Sequence, residues 1–355
     1  MKIFITGICG FVGSRLASFF ADSLEGAEIF GIDNFLRSGS ESNRPALQKK
    51  GVRIFHGDIR SHADLEVLPK ADWVIDAAAN PSVLAGVDGL TSSRQLVSHN
   101  LGGTLELLEF CKRHSAGLVL LSTSRVYSIP PLATLPVTNQ KNAYHLSEDA
   151  PLPTGISALG VSEDFSTAPP VSLYGATKLA SETMALEYGA TFGFPTWINR
   201  CGVLAGAGQF GRPDQGIIAF WIHSWHHGRP LRYIGFDGTG AQVRDAFHPD
   251  DLGRAILLQM KIGTPKERAV WNFGGGLQNR FSLAQLSEWC KNRFGPREVT
   301  PSPAPRAFDI PWMVMDASRA KASFGWKPEI NLETIFAEIA AHAEANPGWL
   351  ELSAR

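Results

Sequence analysis

The opening of the chain constrains its fold more than any other stretch. Lys2–Thr6 is a short apolar run of strand character. The glycine-rich segment Gly7-Ile8-Cys9-Gly10-Phe11-Val12-Gly13 follows it, and a helical period sets in at Val12 and runs to Asp22. A second apolar run, Glu28–Ile32, leads into Asp33. Strand, glycine turn, helix and strand in that order make a βα unit with parallel strands and a right-handed crossover. The alternation continues, with Val52–Phe55, Trp73–Ala77 and Leu118–Ser122 read as buried strands and Ala63–Leu68 and Leu101–Arg113 as helices. These units predict an α/β fold built on a doubly wound parallel sheet with helices on both faces.

From Ser128 to Pro170 the texture changes to proline, serine, glycine and isolated acids, a length that points to a functional insertion. A strong helix, Leu173–Phe192, and a strand, Thr196–Asn199, come next. The late helices Leu283–Arg293 and Leu332–Ala345 predict a smaller, interleaved C-terminal α/β lobe over the carboxyl edge of the sheet, where ligands bind in such folds. The expected division is a first domain over residues 1–200 and a mainly ligand-binding lobe over 201–355, with some segments returning to the first domain.

Charge narrows the functions. Lysine plus arginine (33) cancels aspartate plus glutamate (34) to a net charge of −1, which leaves no electrostatic footprint for nucleic acid or an anionic membrane. Cys9, Cys111, Cys201 and Cys290 are scattered without a CxxC or Cys/His cluster, so neither a disulfide framework nor a metal site is expected. His223, His226 and His227 lie beside Trp221 and Trp225 without a carboxylate or thiol partner and read as a packed helix face. His248 reads as structural. No apolar run reaches the roughly 18 residues of a membrane span, and the first strand is too short for a signal peptide. A cytoplasmic location is expected.

The glycine segment has the chemistry of a dinucleotide site. Gly7, Gly10 and Gly13, with Phe11 and Val12 opening the helix, allow a tight turn, close approach of backbone to a pyrophosphate, and close packing of helix on strand. Asp33 ends the second strand 20 residues after Gly13, placed to accept from a ribose 2′-hydroxyl and to repel a 2′-phosphate. NAD is therefore expected over NADP, with Arg37 close enough to soften the preference.

A catalytic set accompanies the cofactor loop. Tyr174 and Lys178 stand at i and i+4 on one helix face, where an ammonium favours the phenolate and suits the tyrosine to acid–base work. Thr123 lies at the end of the fifth strand, where its hydroxyl can hydrogen-bond a substrate oxygen.

These residues, with Asp58-Ile59, Ala77-Ala78-Ala79 and Asn100, resemble the extended short-chain dehydrogenase/reductases, the NAD-dependent epimerase/dehydratase family, over nearly the whole chain. The resemblance implies a Rossmann domain, with Thr123, Tyr174 and Lys178 as the catalytic triad. It implies that Asp58 and Ile59 border the adenine and adds Asn34, Ala77, Ala78, Ala79 and Asn100 to the cofactor site. Arg244-Asp245-Ala246-Phe247-His248-Pro249-Asp250-Asp251 and Asn272-Phe273-Gly274-Gly275 are similar to the nucleotide-sugar members, so a nucleoside-diphosphate sugar is the implied partner. Asp33-Asn34, Gln209-Phe210, Asp214-Gln215-Gly216 and Gly240–Asp245 are most similar to the 2-epimerase branch. Relatives pair through helices matching Leu101–Arg113 and Leu173–Phe192, which implies a homo-oligomer, a dimer or tetramer.

Within the resemblance, 4,6-dehydratases carry Asp-Glu directly after the catalytic threonine and decarboxylases an acid two residues after it. Here those positions are Ser124 and Arg125. The expectation is an epimerase that oxidises a sugar transiently and re-reduces it on the opposite face. Ser124, Arg125, Gln209, Gln215, Arg244 and Arg306 are the candidate substrate residues: Arg125 because it resembles the basic residue of the 2-epimerase pattern, Arg244 and Arg306 because guanidinium engages phosphate bidentately. A 4-epimerase, a keto-sugar reductase and a non-catalytic nucleotide sensor remain the alternatives. The resemblance is broken where Ser128 follows Val126-Tyr127 and where Leu204-Ala205-Gly206 replaces Tyr-Gly-Pro, which leaves the sugar's identity open.

Overall fold

The computed structural model describes every residue except Asp88, Leu90, Thr91 and Arg355. The chain forms two compact units. One comprises Met1–Val126, Leu173–Arg200 and Pro249–Trp271, the other Tyr127–Ser172, Cys201–His248 and Asn272–Arg355.

The first unit is built on a seven-stranded sheet. Its strands are β1 (Lys2–Thr6), β2 (Glu28–Asp33), β3 (Arg53–His56), β4 (Trp73–Asp76), β5 (Gly117–Thr123), β6 (Thr196–Cys201) and β7 (Val270–Phe273), in the order β7-β6-β5-β4-β1-β2-β3. The pairs β1/β2, β2/β3, β1/β4 and β4/β5 are parallel. Their apolar runs are buried on both faces, as in Ile3, Phe4 and Ile5, because helices cover both sides of a parallel sheet. Four helices matter here: α1 (Phe11–Ser23), α2 (Gly103–His114), α3 (Ser172–Phe192) and α4 (Pro249–Ile262). Phe4 stacks on Phe30 at 5.3 Å and meets Phe110 of α2 at 5.2 Å, so strand and helix share one core. Strand order reverses between β1 and β4, and that reversal opens the crevice at their carboxyl ends.

Two parts of this unit differ from the sequence reading. The helix expected from Leu101 is preceded by a π turn over Ser98–Gly102, where Asn100 turns its side chain into the interior. The seventh strand and α4 were not assigned from sequence; the strand's four residues, Val-Trp-Asn-Phe, show no usable period.

The second unit centres on the strand Val243–Phe247. It pairs in parallel with Val203–Leu204 and Trp312–Met313 and antiparallel with Arg280–Ser282. Helix Ile217–His226 packs Ile218, Trp221, Ile222 and Trp225 against Ile335, Phe336 and Ile339 of helix Leu332–Ala345. The proline-rich insertion holds a short helix, Ile129–Ala133, and two hairpins, Val137–Gln140 with Ala143–Leu146 and Ile156–Ser157 with Gly160–Val161. Lys141 and Asn142 both have positive φ (50° and 61°), which suits a two-residue hairpin turn to the strand twist. No described helix is long and apolar enough to cross a membrane.

Candidate cofactor and catalytic site

Backbone packing sets the site. Gly7 leaves β1 with φ +58°, and Gly10 N–H donates to the Gly7 carbonyl at 2.9 Å. A Cβ on Gly13 would lie 2.2 Å from that carbonyl oxygen, so no other residue fits there without moving the turn. A Cβ on Gly7 would meet Ala78 Cα at 3.1 Å, which places the glycine turn directly against the end of β4. Helix α1 starts here without a side-chain cap and without an acidic residue in its first turn, so its free N–H groups favour an anion.

Asp33 ends β2 beside this turn, 8% exposed. Its Oδ2 accepts from Cys9 N–H at 2.9 Å and its Oδ1 from Phe35 N–H at 2.8 Å. Burial raises its carboxyl above the usual range, and the N–H groups of Phe35, Cys9 and Gly10 oppose the shift. The carboxylate keeps room for a further donor. Burial, then Asp33, pushes the Cys9 thiol up to about 12, so it is inert. Asn34 Nδ2 donates to Asp58 Oδ2 at 3.0 Å, and the Arg60 guanidinium grips Asp58 and holds its carboxyl well below the usual range. A Cβ on Gly103 would lie 2.5 Å from Ile59 Cδ1, so Ile59 packs on the start of α2.

A buried polar chain runs from this turn to the helix of Tyr174 and Lys178. Thr6 Oγ1 donates to Asp76 Oδ1 at 2.9 Å and accepts from the N–H groups of Ala77 and Ala78 at 3.0 Å each. Thr104 Oγ1 lies 3.0 Å from the other Asp76 oxygen and 2.9 Å from the Asn100 carbonyl. Asn100 accepts from Asn80 N–H at 2.8 Å and donates to Thr177 Oγ1 at 3.1 Å, and Thr177 donates to the Tyr174 carbonyl at 2.8 Å. Tyr174 and Lys178 are 7% and 2% exposed on α3. Deeper in the unit, Ser122 donates to Glu182, which the Arg200 guanidinium clamps at 2.7–3.2 Å. That clamp ties the carboxyl end of β5, where Thr123 sits, to α3. Thr123 Oγ1 accepts from Arg125 N–H at 3.2 Å, and Ser124 and Arg125 form a single 3-10 turn after it. The sequence reading missed Thr6, Asp76, Thr104, Glu182 and Arg200. An aspartate closing the apolar strand Trp73–Asp76, and a glutamate one turn beyond Lys178, were the available signals.

The remaining candidates lie in the second unit. Arg244 donates to Asp309 Oδ1 at 3.2 Å and to the Val243 carbonyl at 2.7 Å, so the expected anion binder is ion-paired. Asp309 N–H donates to the Arg306 carbonyl at 3.3 Å, and Arg306 Nη2 reaches the Pro213 carbonyl at 3.4 Å. Arg306 is thereby brought to the loop of Gln209 and Gln215. His248 bonds Glu338 at 2.9 Å, and His223 is buried against His342. Among the described residues no group of three His, Cys, Asp or Glu is arranged to hold a metal.

The glycine cradle, the acid-free helix start and Asp33 together fit a dinucleotide. Residues 3–274 match the NAD dependent epimerase/dehydratase family. The chain is 26% identical to a CDP-paratose 2-epimerase of Salmonella typhi, over 93% of this chain and 96% of that one. It is 27% identical to a UDP-glucuronate 4-epimerase of Thermodesulfobacterium geofontis, over 93% and 92%. A UDP-glucuronic acid 4-epimerase from Bacillus cereus, solved with UDP-glucuronic acid and NAD, superposes with a TM-score of 0.75 at 23% identity, covering 97% of this chain and 99% of that one. With its Rossmann sheet, its glycine turn and a match spanning most of its length, the chain belongs to the NAD-dependent epimerase/dehydratase family and uses NAD as its cofactor.

Proposed function

We propose that the protein is a nucleotide-sugar epimerase of the 2-epimerase kind, inverting a sugar carbon by transient oxidation. The observation that carries this reading is the residue pair after Thr123: Ser124 and Arg125 stand where dehydration or decarboxylation chemistry calls for an acid. Thr123 steadies the substrate hydroxyl, and the Tyr174 phenolate removes its proton. Lys178, buried one turn along α3, favours the phenolate, and Tyr174 gives its proton back to the sugar oxygen when the hydroxyl is restored. NAD, when bound, supplies reversible hydride acceptance at the same carbon. No acid at 124 or 125 is available to protonate a neighbouring leaving group, so the keto-sugar is re-reduced rather than dehydrated. Gly7, Gly10, Phe11, Val12 and Gly13 hold the pyrophosphate, and Asp33 with Asn34 the adenosine ribose. Asp58 and Ile59 take the adenine, with Ala77, Ala78, Ala79 and Asn100 lining the rest. Arg244 and Arg306 engage the substrate diphosphate, Arg244 by exchanging Asp309 for phosphate, and Gln209 and Gln215 contact its nucleotide. Ser124 and Arg125 face the sugar.

Mass spectrometry of ligands released from the denatured protein is expected to give NAD, and turnover is expected without net NADH. Tyr174→Phe should lower turnover by about 10²–10⁴-fold while NAD content is unchanged. Stoichiometric NADH, a 4-keto-6-deoxy product, or an unimpaired Tyr174→Phe would each overturn the reading.

A further inference from the structure

The loop that carries Gln209 and Gln215 is braced by the helix Trp349–Ala354. Inside the loop, Gln209 Nε2 donates back to the Leu204 carbonyl at 2.6 Å. Arg212 and Gln215 exchange backbone hydrogen bonds of 2.7 and 3.2 Å. From the helix, Trp349 Nε1 donates to the Gln209 carbonyl at 2.9 Å, and its ring stacks on Phe210 with centroids 5.1 Å apart and planes 14° from parallel. The Ser353 carbonyl accepts from Arg212 Nε at 2.9 Å. His342 meets the indole edge-on at 4.7 Å. Trp349 is 7% exposed, so both its stack and its hydrogen bond are screened from water.

The indoles of Trp221 and Trp225 direct their N–H groups to Ser287 and Gly295, neither of them a candidate ligand residue. That of Trp349 goes to the backbone of Gln209, whose own Oε1 is buried with no hydrogen-bond partner among the described residues. A buried acceptor in that state is complete only when a donor reaches it.

We propose that Trp349 is a positioning residue: through its stack on Phe210 and its hydrogen bond to Gln209 it fixes the 209–215 loop for a nucleoside diphosphate. This rests on the reading above that Gln209 and Gln215 contact the substrate nucleotide. An indole turns about only two bonds, so the loop is ordered before ligand arrives and the ordering cost does not fall on binding.

Trp349→Phe keeps an aromatic stack and deletes the donor. In the NAD-loaded enzyme, calorimetry with CDP and with UDP should show the nucleotide that binds the unaltered protein binding this variant about fivefold more weakly, the effect of one hydrogen bond. Amide exchange at Arg212 and Gln215 should quicken, with NAD content unchanged. Gln209→Ala, run alongside, should also weaken binding. If Gln209→Ala weakens binding and Trp349→Phe does not, the bracing role is wrong and the site reading stands. Weaker binding without faster loop exchange, or with parallel loss of NAD, also overturns the bracing role. If Gln209→Ala binds as tightly as the unaltered protein, or neither nucleotide binds at all, the site reading falls and takes this inference with it.

Discussion

Both units bury polar side chains, and they treat them differently. In the first, Thr6, Asp76, Asn100, Thr104, Thr177, Glu182 and Arg200 bond one another in continuous chains. In the second, Gln209 Oε1, His223 Nδ1, Ser224 Oγ, His227 Nε2, Gln242 Oε1 and Asn279 Oδ1 lie buried with no hydrogen-bond partner among the described residues, a state that Ser40 Oγ shares in the first. A paired group strands its partner when it is removed, whereas an unpartnered one strands nothing. The first unit is therefore fixed by its polar interior. The second leans more on its tryptophans and aliphatic residues, and these six unpartnered polar atoms are expendable or await a ligand.

Arg200→Met gives the largest contrast. It strips Glu182 of its ion-pair partner on α3 and leaves it only the Ser122 hydroxyl, which should cost about 3–5 kcal/mol in urea unfolding. A cost under about 1 kcal/mol would show that the paired interior is not what holds the unit.

Acid tests the second unit next. Burial, then the neighbouring His342 and His227, lowers His223 from 6.5 to about 3. Between those values the unfolded chain binds a proton that the folded one refuses. Stability contributed by this residue is complete above about pH 6.5 and drains away as pH falls toward 3, at about 1.4 kcal/mol per pH unit for one proton. Burial also lowers His342 and His227, in the same direction. Melting curves from pH 7 to pH 4.5 should decline less steeply in His223→Leu. An unchanged slope would place the acid sensitivity elsewhere.

Ser224→Ala is the smallest change and the sharpest control. Its Oγ is buried without a partner, so stability should shift by no more than about 0.5 kcal/mol, measured by thermal melting. A loss of 2 kcal/mol would erase the distinction between the units.

Much of the first unit was legible in sequence because its signals are local. Five of its strands are contiguous apolar runs, and the glycine turn is a backbone requirement: a Cβ at Gly13 would clash with the Gly7 carbonyl oxygen at 2.2 Å. The spacing of Tyr174 and Lys178 placed them on one helix face, and both lie buried on α3, but spacing alone does not mark them out without Thr123 and the glycine turn. What escaped was long-range: Asp76 and Thr104 are 28 residues apart, and Glu182 and Arg200 lie on different elements, so neither pairing leaves a pattern in a window. The second unit resisted for the same reason. Arg244 was picked for its charge, but its pairing with Asp309, 65 residues on, is visible only in three dimensions.

The chain passes between its two units five times, returning to the first at Leu173 and again at Pro249. During synthesis, then, the nucleotide-binding sheet cannot be finished when residue 200 leaves the ribosome, since α4 and the edge strand β7 are still to come. Its open edge must wait while some seventy further residues emerge, which exposes strand β6 to wrong partners and makes shielding by a chaperone valuable. A fragment cut at residue 200 would carry that raw edge permanently, and aggregation is the fate its topology assigns.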